Sequence, residues 1–417
     1  MMEYGLIGER LGHSFSPEIH GAIADYKYEL KELPREELDA FFRRKEFCAV
    51  NVTIPYKEAV IPLLDEVEDA ARDIGAVNTV VNKDGKLYGY NTDCYGMRAA
   101  MLREGILPVG KKVLICGAGG TSKTASYVAR ELGASEVVFL SRNKKDGCET
   151  YDDAYAKHTD AGVIINTTPC GMYPDNSSCA VDISKFPELS GVFDAVYNPL
   201  RSPLIVAAKC RAIPASGGLF MLVSQAVRAS ELFRGRVCSK GLAERIYSDI
   251  LKRKENIVLI GMPSSGKTTV GKLVAKALGR EFVDTDDEIE RREGASPAEL
   301  IRKYGEEHFR DAEAAAVKEV SKLQGKVIAT GGGAVLRREN VDFLLQNGRI
   351  YFLNRPLDML TATGDRPLTS DRGSLEKKYR ERIDIYNDVC DVKTDSSRSA
   401  SDAAKSILDD FDLQETL

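Results

Sequence analysis

Ile257-Val258-Leu259-Ile260-Gly261-Met262-Pro263-Ser264-Ser265-Gly266-Lys267-Thr268 decides the architecture of the C-terminal part of this chain. Four apolar residues make a buried strand, and the Gly-x4-Gly-Lys-Thr that follows is the turn by which a strand opens a helix around phosphate. Backbone N–H groups from Gly261 through Ser264, Ser265 and Gly266 can cradle the α- and β-phosphates of ATP, and Lys267 can reach the β- and γ-phosphates. The hydroxyl of Thr268, with Thr269 beside it, is placed for Mg2+. Roughly a third of the chain upstream a different glycine turn, Gly117-Ala118-Gly119-Gly120-Thr121, follows its own strand, Val113-Leu114-Ile115-Cys116. One polypeptide is thus expected to carry two nucleotide sites.

Composition sets the frame. At roughly 100 to 200 residues per domain, 417 residues predict two or three domains. With 43% hydrophobic and 29% charged residues, and no apolar run near the roughly 20 residues of a membrane span, the chain reads as soluble and globular, with no membrane partner. Residues 1–10 do not read as a signal peptide. A net charge of -5 argues against a nucleic-acid partner. Nine cysteines and four histidines show no Cys-x-x-Cys and no zinc-like spacing, the pattern of reduced thiols in a cytoplasmic protein.

Short β-rich runs alternate with amphipathic helical patterns along nearly the whole chain, which predicts α/β architecture with parallel sheets. Strands are expected near 4–7, 49–54, 76–81 and 87–90, then at 113–116, 136–140, 163–165 and 192–196. Helices are expected over 124–132, 221–233 and 242–251, the last two packing back on the first domain. The basic run Lys252-Arg253-Lys254-Glu255 marks the boundary before the second nucleotide strand.

The turn after the 136–140 strand is where an NAD site would want an acidic residue for the ribose hydroxyl. Here it is Ser141-Arg142-Asn143-Lys144, so a 2'-phosphate is favoured and the expected cofactor is NADP(H). Left to itself, this could also be an exposed basic turn. Asn51-Val52-Thr53-Ile54-Pro55-Tyr56-Lys57 ends a strand on polar residues and presents Lys57 at its mouth. A lysine ammonium, ordinarily titrating near 10.4, is protonated at neutral pH and can donate to a ketone oxygen as hydride arrives. Asp93, after another short strand, could orient it. Each alone would more often be solvated surface.

The motifs His13-Ser14-Phe15-Ser16-Pro17, Asn51 to Lys57, Gly75-Ala76-Val77-Asn78-Thr79 and Asn91-Thr92-Asp93 occur in this order in shikimate dehydrogenases. The resemblance continues through Gly117 to Gly120, Asn166-Thr167-Thr168-Pro169-Cys170-Gly171-Met172, Asp194-Ala195-Val196-Tyr197-Asn198-Pro199 and Met221-Leu222-Val223-Ser224-Gln225, over nearly all of residues 1–236. It implies NADPH-dependent reduction of 3-dehydroshikimate to shikimate. On that pattern Ser14, Ser16, Thr53, Asn78, Asp93, Tyr197 and Gln225 hold the substrate, Lys57 and Asp93 are the catalytic pair, and Ala195 and Gly218 line the nicotinamide. The stretch from Arg142 to Ala161 is shorter than is usual in the family, which implies a reduced helix there.

In the C-terminal part, Phe282-Val283-Asp284-Thr285-Asp286 reads as a strand end whose two carboxylates at i and i+2 point the same way, one for magnesium and one for an acceptor hydroxyl. The other reading is a helix-capping aspartate cluster. With Gly305-Glu306-Glu307-His308-Phe309-Arg310 and Glu313, Gly331-Gly332-Gly333, Asp365-Arg366-Pro367-Leu368, and Arg382 with Tyr386, the set resembles shikimate kinase over residues 256 to 410. The resemblance implies Thr268 and Asp284 as the magnesium side, and Asp286, Arg310, Gly332 and Arg382 as the shikimate site. Arg366 resembles a lid arginine over the phosphates, and Arg398 a late arginine on the ATP side. The lid from Leu360 to Asp365 is short.

The fold expected is α/β: an N-terminal α/β substrate domain (1–105, with 219–250 packing back), a Rossmann-like NADP domain (106–218), and a P-loop kinase domain with a parallel sheet (251–417). The function expected is bifunctional, the product of the first reaction being the acceptor of the second. Two other readings stand beside it, a quinate-type dehydrogenase joined to a kinase for another acceptor, and a sensor in which one half only binds ligand. Lys57, Asp93, Lys267, Asp284 and Asp286 argue against the sensor, since a binding relic needs neither proton carriers nor magnesium ligands.

Overall fold

The computed structural model describes residues 2–12, 15–362, 368 and 371–413. Two compact units divide the chain, Met1–Tyr247 and Ser248–Leu417.

The first unit opens with β1 (Met2–Gly8), α1 (Ser16–Ile23), β2 (Tyr28–Glu32), α2 (Leu38–Arg44), β3 (Phe47–Val52), β4 (Glu66–Val67), α3 (Asp69–Ile74), β5 (Thr79–Lys83), β6 (Lys86–Tyr90) and α4 (Thr92–Arg103). These six strands form one sheet in the order β2-β1-β3-β5-β6-β4. The alternation predicted parallel sheets, but this one is mixed: β3 pairs β5 and β5 pairs β6 antiparallel. The Asp84-Gly85 turn is the cause, because it joins β5 to β6 as a hairpin, with both residues at positive φ. Ile7, Phe42, Phe47, Val50, Val60, Val80 and Leu87 are among the buried residues of one core on this sheet. Each such side chain contributes roughly 1.5–3 kcal/mol on leaving water.

A second sheet follows, from β7 (Lys112–Cys116), α5 (Gly120–Glu131), β8 (Glu136–Leu140), α6 (Tyr151–Lys157), β9 (Val163–Asn166), β10 (Gly191–Asp194), α7 (Pro203–Cys210) and β11 (Ala215–Ser216). Its order is β11-β10-β9-β7-β8, all parallel. Strand order reverses beside β7, so the crevice at the strands' carboxyl ends opens at the Gly117 turn. Helix α5 begins at Gly120 rather than at 124, since the glycine turn itself supplies the first helical residue. The link between β8 and β9 holds only a seven-residue helix, α6.

Helix α8 (Gly218–Arg234) follows, and α9 (Leu242–Lys254) carries the chain across the division between the units at 247/248. Helix α8 packs along α4, joined by Met97, Phe220 and Met221 in a core shared with β7 and β9, and its far end places Ala229 and Phe233 against the first sheet. Helix α9 runs three residues past the expected end at 251 and takes the basic run 252–254 as its last turn, just before β12. Lysine and arginine in the last turn suit the helix's negative end.

In the second unit lie β12 (Asn256–Ile260), α10 (Lys267–Leu278), β13 (Phe282–Asp284), α11 (Thr285–Glu293), α12 (Pro297–Tyr304), α13 (Glu306–Val320), β14 (Val327–Ala329), α14 (Arg338–Asn347), β15 (Gly348–Asn354), α15 (Arg372–Val389), β16 (Val392–Asp395) and α16 (Ala400–Leu413). Its parallel sheet runs β13-β14-β12-β15-β16. Strand β12 is entirely buried at the centre. Helices α10 and α16 cover one face through Val270, Val274, Ala403, Ile407 and Phe411.

Gly218 holds the tightest backbone approach of the first unit, because a Cβ there would lie 2.2 Å from the Ala195 carbonyl oxygen. Gly218→Ala is therefore expected to destabilise the first unit by about 1–3 kcal/mol through overpacking. That corresponds to a loss of about 2–10 °C in the Tm of its calorimetric transition. An unchanged Tm would mean that the Ala195 peptide yields freely.

Candidate active sites

In the first unit, β3 delivers Thr53 and, one turn later, Lys57. The turn closes by Tyr56 N–H donating to the Thr53 carbonyl at 2.9 Å, while the buried Tyr56 hydroxyl anchors to the Leu33 carbonyl at 2.6 Å. Helix α4 delivers Asp93 from its first turn, where the Asn91 side chain caps the helix by accepting from Cys94 N–H. The two meet: Lys57 Nζ donates to Asp93 Oδ2 at 2.6 Å, with the side chains 18% and 11% exposed. Water access is small enough to hold the ammonium in place, yet the pair keeps some exposure.

Behind this pair lies a buried polar chain. Asn78 Oδ1 accepts from Thr92 N–H at 2.7 Å, and the Thr92 hydroxyl lies 3.2 Å from Gln225 Oε1. Asn51 in turn donates to Thr79 Oγ1 at 3.0 Å and accepts from the Tyr28 hydroxyl at 2.7 Å. Asn78 and Gln225, expected from sequence, are thus brought together through Thr92, a motif residue to which sequence assigns no task of its own. Ser16 opens α1 and is buried; next to it the Phe15 ring packs 5.3 Å from that of Tyr197. Burial raises the Tyr197 phenol. Ser14 lies outside the described residues.

On the second sheet, Gly117 N–H bonds to the Leu140 carbonyl at 2.8 Å, tying the two cofactor loops together. Gly117 sits at φ +110°, and a Cβ there would be 2.8 Å from Thr167 Oγ1, so only glycine fits. Gly119 caps α5, whose first residues are Gly120 and Thr121, and Ala118 offers its carbonyl to Lys145 Nζ at 3.3 Å. Ser141 is half-buried, while Arg142 and Asn143 are exposed on the neighbouring loop. Ala195 N–H donates to the Asn166 carbonyl and Gly218 N–H to the Val196 carbonyl, both at 2.9 Å. Lys123 on α5 pairs with Glu58, the residue after Lys57, at 2.8 Å, a long-range contact that no local pattern announces.

In the second unit a cavity of about 550 Å3 is lined by Gly266, Lys267, Thr268, Thr269, Asp284 and Asp286 on one side and by Arg310, Glu313, Gly332 and Arg382 on the other. Gly261 lies below it, backed against the Leu353 carbonyl. Lys267 Nζ donates to the Gly261 and Met262 carbonyls at 2.9 and 3.0 Å, and Ser264 Oγ donates to the Thr361 carbonyl at 2.9 Å. Ser265 is buried under the loop. Thr268 Oγ1 donates to Asp284 Oδ2 at 3.0 Å.

The strand-end reading of the two aspartates is corrected. Strand β13 stops at Asp284, which caps α11 by accepting from Asp286 N–H at 3.1 Å; Asp286 belongs to the helix's first turn. Asp284 is therefore both cap and neighbour of Thr268, and Asp286 reaches the cavity from a helix, not from a strand.

Arg310 and Arg382 are buried at 8% and 2% exposure. Arg310 donates to Glu313 at 2.5 Å and to Glu306 at 3.1 Å. Burial pushes the Glu313 carboxyl up, and Arg310 pulls it back. Arg382 Nη1 donates to the Gly332 carbonyl at 3.0 Å, and the Tyr386 hydroxyl, one turn along α15, donates to the same oxygen. Arg382 Nε and Nη2 are left with no protein partner among the described residues. Two buried N–H groups in one guanidinium plane suit a carboxylate. Glu313 and Tyr386 lie inside the motifs read from sequence; what singles them out is burial, which sequence does not display. Arg398 is exposed beyond β16 and does not line the cavity, and Arg366 lies outside the described residues.

Among the described residues no helix is long and apolar enough to cross a membrane. Residues 6–80 match the family model for the shikimate dehydrogenase substrate-binding domain, and residues 263–412 the model for shikimate kinase. A shikimate dehydrogenase (NADP(+)) of Clostridium perfringens strain 13 is 37% identical over 267 residues, covering 60% of this chain and 98% of the relative. Among solved structures, a chorismate mutase/shikimate 5-dehydrogenase fusion protein from Clostridium acetobutylicum superposes with a TM-score of 0.57 at 30% identity, covering 60% of this chain and 97% of its own. Shikimate 5-dehydrogenase from Thermus thermophilus, solved with NADP(H) and shikimate, gives 0.53 at 30% identity, covering 60% and 99%. The Lys57–Asp93 cleft beside a glycine turn thus sits in a chain that belongs to the shikimate dehydrogenase family and continues into a shikimate kinase domain.

Proposed function

We propose that this chain catalyses two consecutive steps of the shikimate pathway, towards aromatic amino acids: NADPH-dependent reduction of 3-dehydroshikimate to shikimate, and ATP-dependent phosphorylation of shikimate to shikimate 3-phosphate. The observation that carries the first is the 2.6 Å Lys57–Asp93 pair at the mouth of the cleft. The layer holding both residues serves as the substrate domain, and the second sheet as the NADP domain.

Asp93 holds the Lys57 ammonium and takes a substrate hydroxyl. Ser14, Ser16, Thr53, Asn78, Tyr197 and Gln225 fix the carboxylate and remaining hydroxyls. The turn Gly117 to Thr121, the loop Ser141 to Asn143 that suits a 2'-phosphate, and Ala195 with Gly218 on the nicotinamide side would hold NADPH, which would supply the hydride. Lys57 gives its proton to the C3 oxygen as the carbonyl becomes an alcohol. The low exposure of the pair keeps water from competing for that proton.

In the kinase domain Arg310 and Arg382 clamp the shikimate carboxylate, and the Gly332 backbone sets its depth. Asp286 takes the proton of the C3 hydroxyl as the oxygen attacks the γ-phosphorus, and the bond from that phosphorus to the β-phosphate oxygen breaks to release ADP. Lys267 and Arg366 neutralise charge on the transferring group. The hard oxygen donors Thr268 and Asp284, adjacent at the mouth of the phosphate loop, fit a magnesium ion, which would bring charge neutralisation to the phosphates. All nine cysteines are free thiols, which favours a reducing, cytoplasmic setting.

Two variants separate the activities. Lys57→Met is expected to lower kcat for NADPH oxidation by roughly 10²- to 10⁴-fold, the range for a lost general acid, while phosphorylation of added shikimate continues at the parent rate. Retained reductase turnover would remove Lys57 from the role. Arg382→Lys keeps the charge and loses the planar fork, so KM for shikimate in the kinase assay should rise about tenfold or more, the equivalent of one charged hydrogen bond. An unchanged KM would place the carboxylate elsewhere.

A further inference from the structure

Asp194 is a buried carboxylate that neither reaction uses. It ends β10, is 0% exposed, and takes three hydrogen bonds from neutral donors. Oδ1 accepts from Val196 N–H and Asn166 Nδ2, both at 2.9 Å; Oδ2 accepts from Ser202 Oγ at 2.5 Å. Placing a carboxylate there without a cation is costly, so the three bonds have to be made well.

The donors come from three separate places. Asn166 ends β9, Val196 lies in the turn after β10, and Ser202 caps α7. The first two lead to residues of the dehydrogenase site. Asn166 also accepts from Thr168 N–H and Oγ1 at 3.0 and 2.7 Å, which shapes the loop whose Thr167 flanks the Gly117 turn. Its carbonyl receives Ala195 N–H. The Val196 carbonyl receives Gly218 N–H, and Tyr197 comes next in the chain, its ring on Phe15. Ala195, Tyr197 and Gly218 therefore hang from one buried side chain.

We propose that Asp194 is a positioning residue for hydride transfer, clamping the Ala195-Val196-Tyr197 turn so that the surface under the nicotinamide and the substrate-facing tyrosine keep a fixed separation. The proposal rests on the dehydrogenase reading above. Shifting reacting groups by about 1 Å costs on the order of 10²-fold in rate, which sets the scale of the effect.

Burial pushes the Asp194 carboxyl up to about 7, against Ser202, Val196 and Asn166, which hold it down. The titratable groups facing it are the thiols of Cys116, Cys170 and Cys179, all raised by burial and so neutral in this range. The folded chain thus keeps a proton that the unfolded chain, with an ordinary value of 3.8, gives up. Stability from this group is full below about 4 and is lost as the pH climbs to about 7.

The test uses the full chain with Asp194→Ala, Asp194→Asn and Ser202→Ala. It measures kcat and KM for 3-dehydroshikimate, the Kd of NADPH by fluorescence, and the isotope effect with NADPH deuterated at C4. Asp194→Ala is expected to lower kcat about 10- to 100-fold and to raise the isotope effect, with the Kd of NADPH within about threefold because none of the three Asp194 hydrogen bonds reaches the 117–121 or 141–143 loops directly. Asp194→Asn retains an oxygen for Val196 N–H and should recover most of kcat, with the pH slope of stability between about 4 and 7 removed.

A kcat within twofold of the parent in Asp194→Ala overturns the proposal, as does a loss of NADPH affinity that tracks a loss of Tm with an unchanged isotope effect. Should Asp194→Ala not fold, Ser202→Ala decides: a fall in kcat at unchanged Kd is expected, and parent kcat overturns it. An inactive parent chain would sink the dehydrogenase reading itself, whereas an active parent with indifferent variants sinks only the role of Asp194.

Discussion

Both units depend on one constraint. A parallel strand must hand its chain to a helix within a few residues while leaving backbone N–H groups free to face an anion. At β7 the turn is Gly117 to Gly119, and at β12 it is Gly261 to Gly266. Gly266 stands at φ +97° as the cap of α10, so the loop can fold back on itself before the helix starts. Because these two strands are the ones beside which strand order reverses, the same turns open onto the crevice. Site and fold are one solution to the same geometric problem.

The polar side chains of both sites are held from behind by neutral groups. Backbone carbonyls seat Arg382, Lys267 and Tyr56. Side-chain amides and hydroxyls link Asn78, Thr92 and Gln225. Ion pairs are used sparingly where chemistry needs a fixed charge, at Lys57–Asp93 and Arg310–Glu313. A charge held this way reorganises little when substrate arrives, which is what electrostatic catalysis requires.

Much of this is legible in sequence because the informative residues are local. A glycine turn, the strand before it and the helix after it lie within a dozen positions, and so do Asn51 to Lys57. What escapes is set by tertiary contact. The hairpin between β5 and β6 makes the first sheet mixed, although Asp84-Gly85 carries the turn signal. Asp286 is expected on a strand because two carboxylates at i and i+2 suit that period, yet Asp284 caps a helix there and rotates Asp286 into its first turn. Thr92, Glu313 and Asp194 gain their importance from burial against residues far away in the chain. Arg398 is exposed beyond β16, near Asp395, and does not line the cavity.

The central claim is that one chain carries out two reactions on one metabolite. Purified full-length protein given 3-dehydroshikimate, NADPH, ATP and Mg2+, with nicotinamide absorbance followed and products identified by mass, tests it directly. The account predicts that one shikimate 3-phosphate forms for each NADPH oxidised, and that shikimate accumulates when ATP is left out. NADPH that is never consumed, or shikimate that persists unphosphorylated with ATP and Mg2+ present, would contradict it.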